Sequence, residues 1–254
     1  MKLKDIYTFL DSIAPFSTQA DFDNAGFLVG DREAEFSGGV VALDVTSGAI
    51  EYAKEKGANL IVSHHPVIFD PLRDVTASGL VYKLIENGIS VISAHTNLDM
   101  ATGGINDVLC ELLNLNNIKG AVPCGNCFEA RIGETDDLFT PHEFGNLLSA
   151  AFPGTAIKYV CGKGDIKRVG VCSGSGGSLL QDMAAAGVNA FVTADVKHNV
   201  FLEAAELGIS LYDCGHFATE DIIVEPLAET LNLKFGNFSA YHSDIICSAL
   251  SFGE

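Results

Sequence analysis

Short runs of consecutive apolar residues alternate with amphipathic stretches along most of the chain, and polar or glycine-rich turns close each run. GGVVALDVT (38–46), NLIVSHH (59–65) and ISVISAH (89–95) read as strands. SGAIEYAKEKG and SGLVYKLIENG, the segments between them, read as helices. The theme returns with IKRVGVCSG (166–174), VNAFVTAD (188–195) and ISLYDCGH (209–216), separated by the helical segments GSLLQDMAAAG and HNVFLEAAELG. Near-continuous apolar strands alternating with helices predict an α/β fold with parallel or mixed sheets covered by helices on both faces. Ile6, Phe9, Leu10 and Ile13 recur at helical spacing and predict an amphipathic first helix.

The second series lines up with the first. GANLIVSHH (57–65) matches GVNAFVTAD (187–195), and NGIS (87–90) matches LGIS (207–210). Two related α/β halves follow, 1–120 and 121–254, although unrelated α/β units also converge on such patterns. Residues 121–165 are the least periodic. Thr140 before Pro141 is a helix N-cap there, and the stretch is taken as the start of the second half.

Composition narrows the function classes. A chain of 254 residues, 48% hydrophobic and 19% charged, has ample material for a core. Its formal charge of −18 repels phosphate backbones, which argues against general nucleic-acid binding. No run of about 18 apolar residues offers a membrane span, and the N-terminal segment lacks the apolar core of an export signal. The expected location is the cytoplasm, with the seven cysteines as thiols. Cys124 and Cys127 form a lone CxxC with no second pair at zinc spacing, so a metal or redox role is disfavoured.

Candidate chemistry gathers at the strand ends. His64 and His65 close one strand before Pro66; His95 and Asp99 close another; His216 and Glu220 close its counterpart. Both halves thus carry His-x-x-x-carboxylate in the same place. In open α/β sheets ligands bind beyond the carboxyl ends of strands, so a metal site is expected at those ends between the halves. Imidazole and carboxylate are ligands for Zn, Fe, Mn and Co. Asp99 and Glu220 each have the chemistry to bridge two cations, about 3.5–4 Å apart. The bland alternative, a set of satisfied core histidines, would bury several imidazoles and carboxylates at considerable cost.

FDNAGFLVGD, ALDVT, NLIVSHHPVIF, AHTNLDMATGGIND, GSGG and GHFATE, in this order, resemble the Nif-three-like dinuclear metal proteins, also called type two GTP cyclohydrolase I homologues. The resemblance spans nearly the whole chain. It implies His64, His65, Asp99, His216 and Glu220 as ligands of two divalent transition-metal ions per chain, Zn, Fe or Mn. It makes His95 a pocket residue. It also implies a cytoplasmic homohexamer, a trimer of dimers around a cavity. Phe22 stands where the family often has tryptophan, a difference read as one of packing.

Several features keep two readings. CSGSGG (172–177) between a strand and a helix would cradle a phosphate or simply make a tight turn, and it lacks full dinucleotide or P-loop spacing. Asp23 and Asn24 would position a substrate or form a turn. Lys197 and His198 would face a cavity or open the next helix. For the whole chain the favoured expectation is a dinuclear metal-dependent hydrolase, GTP cyclohydrolase-like or acting on another nucleotide, a cyclic amide or a phosphoester. In it His95 serves as the proton shuttle. The competing expectation is a non-enzymatic, ring-shaped, metal-binding regulatory or adaptor protein.

Overall fold

The computed structural model of the chain describes residues 1–243. They form two compact units. The first comprises Met1–Thr102 and the described residues from Ile223 onward; the second comprises Gly103–Ile222.

The first unit runs α1 (Leu3–Ile13), β1 (Gly26–Val29), β2 (Gly39–Ala42), α2 (Ser47–Glu55), β3 (Leu60–Ser63), α3 (Leu80–Glu86), β4 (Ser90–Ser93) and α4 (Thr96–Met100). Helix α1 buries Leu3, Ile6 and Leu10, while Phe9 and Ile13 of the expected stripe are half-buried. Strands β2, β3 and β4 pair in parallel and are buried at every residue, which accounts for their near-continuous apolar sequences, broken only by the buried serines Ser63, Ser90 and Ser93. Val40, Ile61 and Val91 point into one core with Ala49, Ile50 and Ala53 of α2 and Leu84 of α3. Strand β1 adds to β4 antiparallel at one edge.

The second unit runs α5 (Ile105–Leu112), β5 (Asn116–Cys124), β6 (Cys127–Phe139), α6 (Pro141–Ala151), β7 (Lys158–Val160), β8 (Ile166–Val171), α7 (Leu180–Ala185), β9 (Ala190–Thr193), α8 (His198–Leu207), β10 (Ser210–Asp213) and α9 (His216–Glu220). Strands β8, β9 and β10 are parallel, β6 and β7 flank them antiparallel, and β5 pairs with β6, giving the order β5-β6-β8-β9-β10-β7. Side chains alternate across this sheet. Ala190 and Val192 enter one core with Phe144, Leu148 and Tyr212, whereas Phe191 enters the other with Ile132, Met183 and Leu211. Burying a side chain such as Phe191 contributes ~1.5–3 kcal/mol. Thr140 caps α6 as its sequence predicts. The Thr140 hydroxyl accepts from the Glu143 amide at 3.3 Å, and the Glu143 carboxylate accepts from the Thr140 amide at 2.9 Å.

Both sheets are mixed α/β sheets covered by helices, as the apolar patterning predicts. The division between units lies elsewhere than the 1–120 and 121–254 expected from the repeat. The chain leaves the first unit at Gly103 and returns to it at Ile223. After α9, α10 (Val224–Phe235) and β11 (Phe238–Tyr241) complete the first sheet in the order β1-β4-β3-β2-β11, with β11 parallel to β2. Gly39 makes that pairing possible, because a side chain there would overlap the Phe238 ring. The end of the expected 121–254 half, with Cys247, lies outside the described residues. The six other cysteines are thiols, and Cys124 and Cys127 face each other across the β5–β6 turn.

Candidate metal centre

His64 and His65 continue strand β3. Their amides donate to the carbonyls of Ala42 at 3.1 Å and Leu43 at 2.9 Å, so the ladder with β2 runs two residues past β3. Strand alternation ends with β3 at Ser63, and past it both rings turn to the same side, His64 buried and His65 half-buried. Beyond β4, His95 is the N-cap of α4, a helix short enough to set Asp99 one turn after it. These elements bring three imidazoles together. Ring centroids are 4.9 Å apart for His64–His65, 5.0 Å for His64–His95 and 5.6 Å for His65–His95. One nitrogen from each lies within 4.8 Å of the others. Asp99 Oδ1 is 3.7 Å from His64 Nε2.

The second unit brings together the other two expected residues. His216 opens α9 and Glu220 closes it, so they share a helix face, with His216 Nε2 3.0 Å from Glu220 Oε2. Gly174, at φ +57°, lies against the Glu220 carboxylate. A Cβ there would overlap Glu220 Oε1 and come within 3.3 Å of His216 Nε2.

One feature unites the four imidazoles: each is held at Nδ1. His64 Nδ1 pairs with the Ala94 carbonyl at 2.9 Å, and His65 Nδ1 with Asp44 at 2.7 Å. His95 Nδ1 pairs with Asp23 at 2.8 Å, and His216 Nδ1 with Asp195 at 2.7 Å. An acceptor at Nδ1 keeps the proton there and leaves Nε2 as the lone-pair nitrogen of the neutral ring, which is how metal-binding histidines are oriented. Each unit also presents a carboxylate to Nε2, Asp99 in one and Glu220 in the other. The donor set therefore fits a divalent transition metal. The electrostatics favour positive charge as well. The Glu220 hydrogen bond, opposed by burial and reinforced by Asp195, pushes His216 up to about 9. Asp23, whose side chain is fully buried, would be raised by that burial. Hydrogen bonds from His95 and Thr96 outweigh it and bring the carboxyl down to about 2.

Sequence reasoning left Asp44 and Asp195 out, and the tether of His95 to Asp23 was not foreseen. Asp44, His65, His95 and Asp195 share a signal, each lying two residues beyond the end of a parallel strand. The double readings also resolve. In CSGSGG the amides of Cys172, Ser173, Gly174 and Gly176 are already engaged. The Ser173 amide donates to Asn106 at 2.8 Å, the Gly174 amide to Thr219 at 3.1 Å and the Gly176 amide to Thr193 at 2.9 Å. This is a turn that supports Glu220, not a phosphate cradle. Lys197 is the exposed N-cap of α8 and His198 its first residue, so the pair opens a helix. Phe22 is not a packing residue. It is 69% exposed.

No helix among the described residues is long and apolar enough to cross a membrane. A sequence profile of the Duf34/NIF3 (NGG1p interacting factor 3) family matches residues 1–250. A Clostridium perfringens protein named GTP cyclohydrolase 1 type 2 homolog is 35% identical over 230 residues, covering 87% of each chain. A Campylobacter jejuni protein of the same name is 34% identical over 244 residues, covering 91% of this chain and 92% of that one. The crystal structure of Staphylococcus aureus protein SA1388 superposes with a TM-score of 0.89 at 27% identity, covering 99% of both chains. With its two mixed sheets, its histidines and carboxylates on the segments that follow the strands and these relatives along its length, the chain belongs to the Duf34/NIF3 family.

Proposed function

We propose that the protein is a cytoplasmic dinuclear metal-dependent hydrolase acting on a nucleotide, a cyclic amide or a phosphoester. His64, His65, Asp99, His216 and Glu220 hold two divalent ions, Zn, Fe or Mn. The observation that carries this reading is the common tether at Nδ1, which four separate elements supply to four imidazoles. A buried core histidine needs one satisfied hydrogen bond, but nothing requires four of them to keep the same nitrogen available, two of them with a carboxylate beside it.

Bound divalent ions supply Lewis acidity and bring the pKa of water toward about 7. The remaining work falls to side chains. Asp44, the Ala94 carbonyl and Asp195 hold the imidazoles of His65, His64 and His216 in one tautomer. His95, held by Asp23, takes a proton at Nε2 from the attacking water and returns it to the leaving group, while Asp23 stabilises the imidazolium. The name carried by the curated relatives, GTP cyclohydrolase 1 type 2 homolog, makes a purine nucleotide the first substrate class to assay. Six copies in a closed ring, a trimer of dimers, complete the reading.

The test supplies Zn, Mn or Fe to protein purified without chelator, then measures metal stoichiometry, turnover of a nucleotide panel and mass by light scattering. Two ions per chain, hydrolysis with at least one metal and a mass six times the 26.8 kDa chain are expected. Fewer than two ions after supplementation, or no hydrolysis with any metal, would overturn the enzyme.

A further inference from the structure

Phe22 and Phe69 form an aromatic pair that the fold leaves open. Their ring centroids are 6.4 Å apart at 49°, and the residues are 69% and 46% exposed. Phe69 in turn meets the His95 imidazole edge to face, centroid to centroid at 6.1 Å. The pair is therefore continuous with the histidine cluster of the first unit.

The loops carrying these rings are tied down. Asn24 Nδ2 donates to the Ile68 carbonyl at 2.7 Å, joining the residues beside Phe22 to those beside Phe69. Asp23, the neighbour of Phe22, is the carboxylate that holds His95 and also accepts from the Thr96 amide at 3.0 Å. The Ala25 amide donates to Gln19 Oε1 at 2.7 Å, and the Ala20 amide to Thr96 Oγ1 at 2.9 Å. Two large apolar rings held in water by a braced frame forgo free energy that burial would recover. A flat ligand seated beside His95 recovers it.

We propose that Phe22 and Phe69 are positioning residues that stack on a planar nitrogen heterocycle of the substrate and lay it beside His95. The proposal deepens the hydrolase reading, on which it rests for the reaction though not for binding. A phenylalanine face is electron-rich and its partners stack offset or edge-on, so an electron-poor nitrogen ring suits it better than an aliphatic group. Exposed Asp21 and Asp70 adjoin the two phenylalanines in the chain. They favour a ring carrying N–H donors over an anionic group at this position. The ring and not the phosphate is therefore the part recognised here. The rival occupant is a second copy of the chain, which would cover the same two rings.

The test uses the full chain and a neutral fluorescent purine, 2-aminopurine riboside, whose emission falls on stacking. Binding is measured with metal-free and metal-loaded protein, with ribose 5-phosphate as competitor. Phe22→Ala and Phe69→Ala are each expected to weaken binding about 5- to 150-fold. Phe22→Trp should restore it, ribose 5-phosphate should not compete, and the mass by light scattering should stay that of the wild type. In turnover, Phe22→Ala should raise KM with little change in kcat. Unchanged affinity in both alanine variants overturns the proposal. So does a fall in mass accompanying the loss, which would assign the pair to a subunit interface. Binding that depends on both rings without any turnover would end the hydrolase reading and leave the stacking surface standing. Turnover with unchanged KM in both variants would do the reverse.

Discussion

Asp195 holds His216 by its Nδ1, at 2.7 Å, from the position that His65 occupies on the matching strand of the other unit. Both residues lie two positions beyond a parallel strand, β9 and β3. The same structural place thus supplies an imidazole in one unit and the carboxylate that orients an imidazole in the other. Asp44, beyond β2, does for His65 what Asp195 does for His216.

That arrangement makes Asp44 and Asp195 testable apart from the proposed ligands. Asp44 and Asp195 have side chains 44% and 58% exposed, so their removal should leave the fold intact. Asp44→Ala and Asp195→Ala should each reduce metal affinity about 10- to 100-fold, measured by competition with a metal-sensitive dye. Affinity within twofold of wild type in both would mean that the tethers do not orient ligands.

His95 and His216 separate proton transfer from metal binding. His216→Ala should lose metal, because Glu220 is left without its co-ligand. His95→Ala should keep both ions and lose roughly 10²- to 10⁴-fold in hydrolytic rate. Metal stoichiometry is measured first and rate second. If His95→Ala is stripped of metal as thoroughly as His216→Ala, His95 is a ligand. Full activity with both ions retained would make it a packing residue.

Gly174→Ala probes the turn under Glu220. At φ +57° the new side chain costs ~1–2 kcal/mol in backbone strain alone. Its Cβ would also displace the Glu220 carboxylate, so metal content should fall together with the melting temperature. A variant that is destabilised yet fully loaded would show that Glu220 is not a ligand.

The cysteines report on the core. Burial pushes the Cys110 thiol up to about 12, and it raises Cys214 still further. Both are fully buried, whereas Cys161 is exposed. At pH 8 iodoacetamide should modify Cys161 in the native protein and leave Cys110 and Cys214 untouched, as read by peptide mass. The folded protein holds the Cys110 proton more tightly than the unfolded chain does. Its contribution to stability is present in full below pH 9 and is lost as pH rises toward 12. Denaturant midpoints should accordingly fall across that window. Rapid native labelling of Cys110 would contradict the packing around it.

The apolar runs by themselves determined the parallel strands, because a strand covered on both faces has no solvent-facing side to mark with polar residues, as Leu60–Ser63 and Ala190–Thr193 illustrate. They also bounded the strands past which His64, His65 and His95 follow directly, whereas Asp99 and Glu220 lie in the short helices α4 and α9 after β4 and β10. Other features were out of reach of local pattern. The short segment FSAY at 238–241 carries no periodicity long enough to read, and its place beside β2 depends on the Phe238 ring lying over Gly39, about two hundred residues away in the chain. The tethers of His95 to Asp23 and of His216 to Asp195 join residues on different elements, so no spacing within either motif encodes them. The exposure of Phe22 followed the same rule. Its aromatic character predicts burial, and only the tertiary course of the two loops, braced through Asn24 and Asp23, leaves the ring in water beside Phe69.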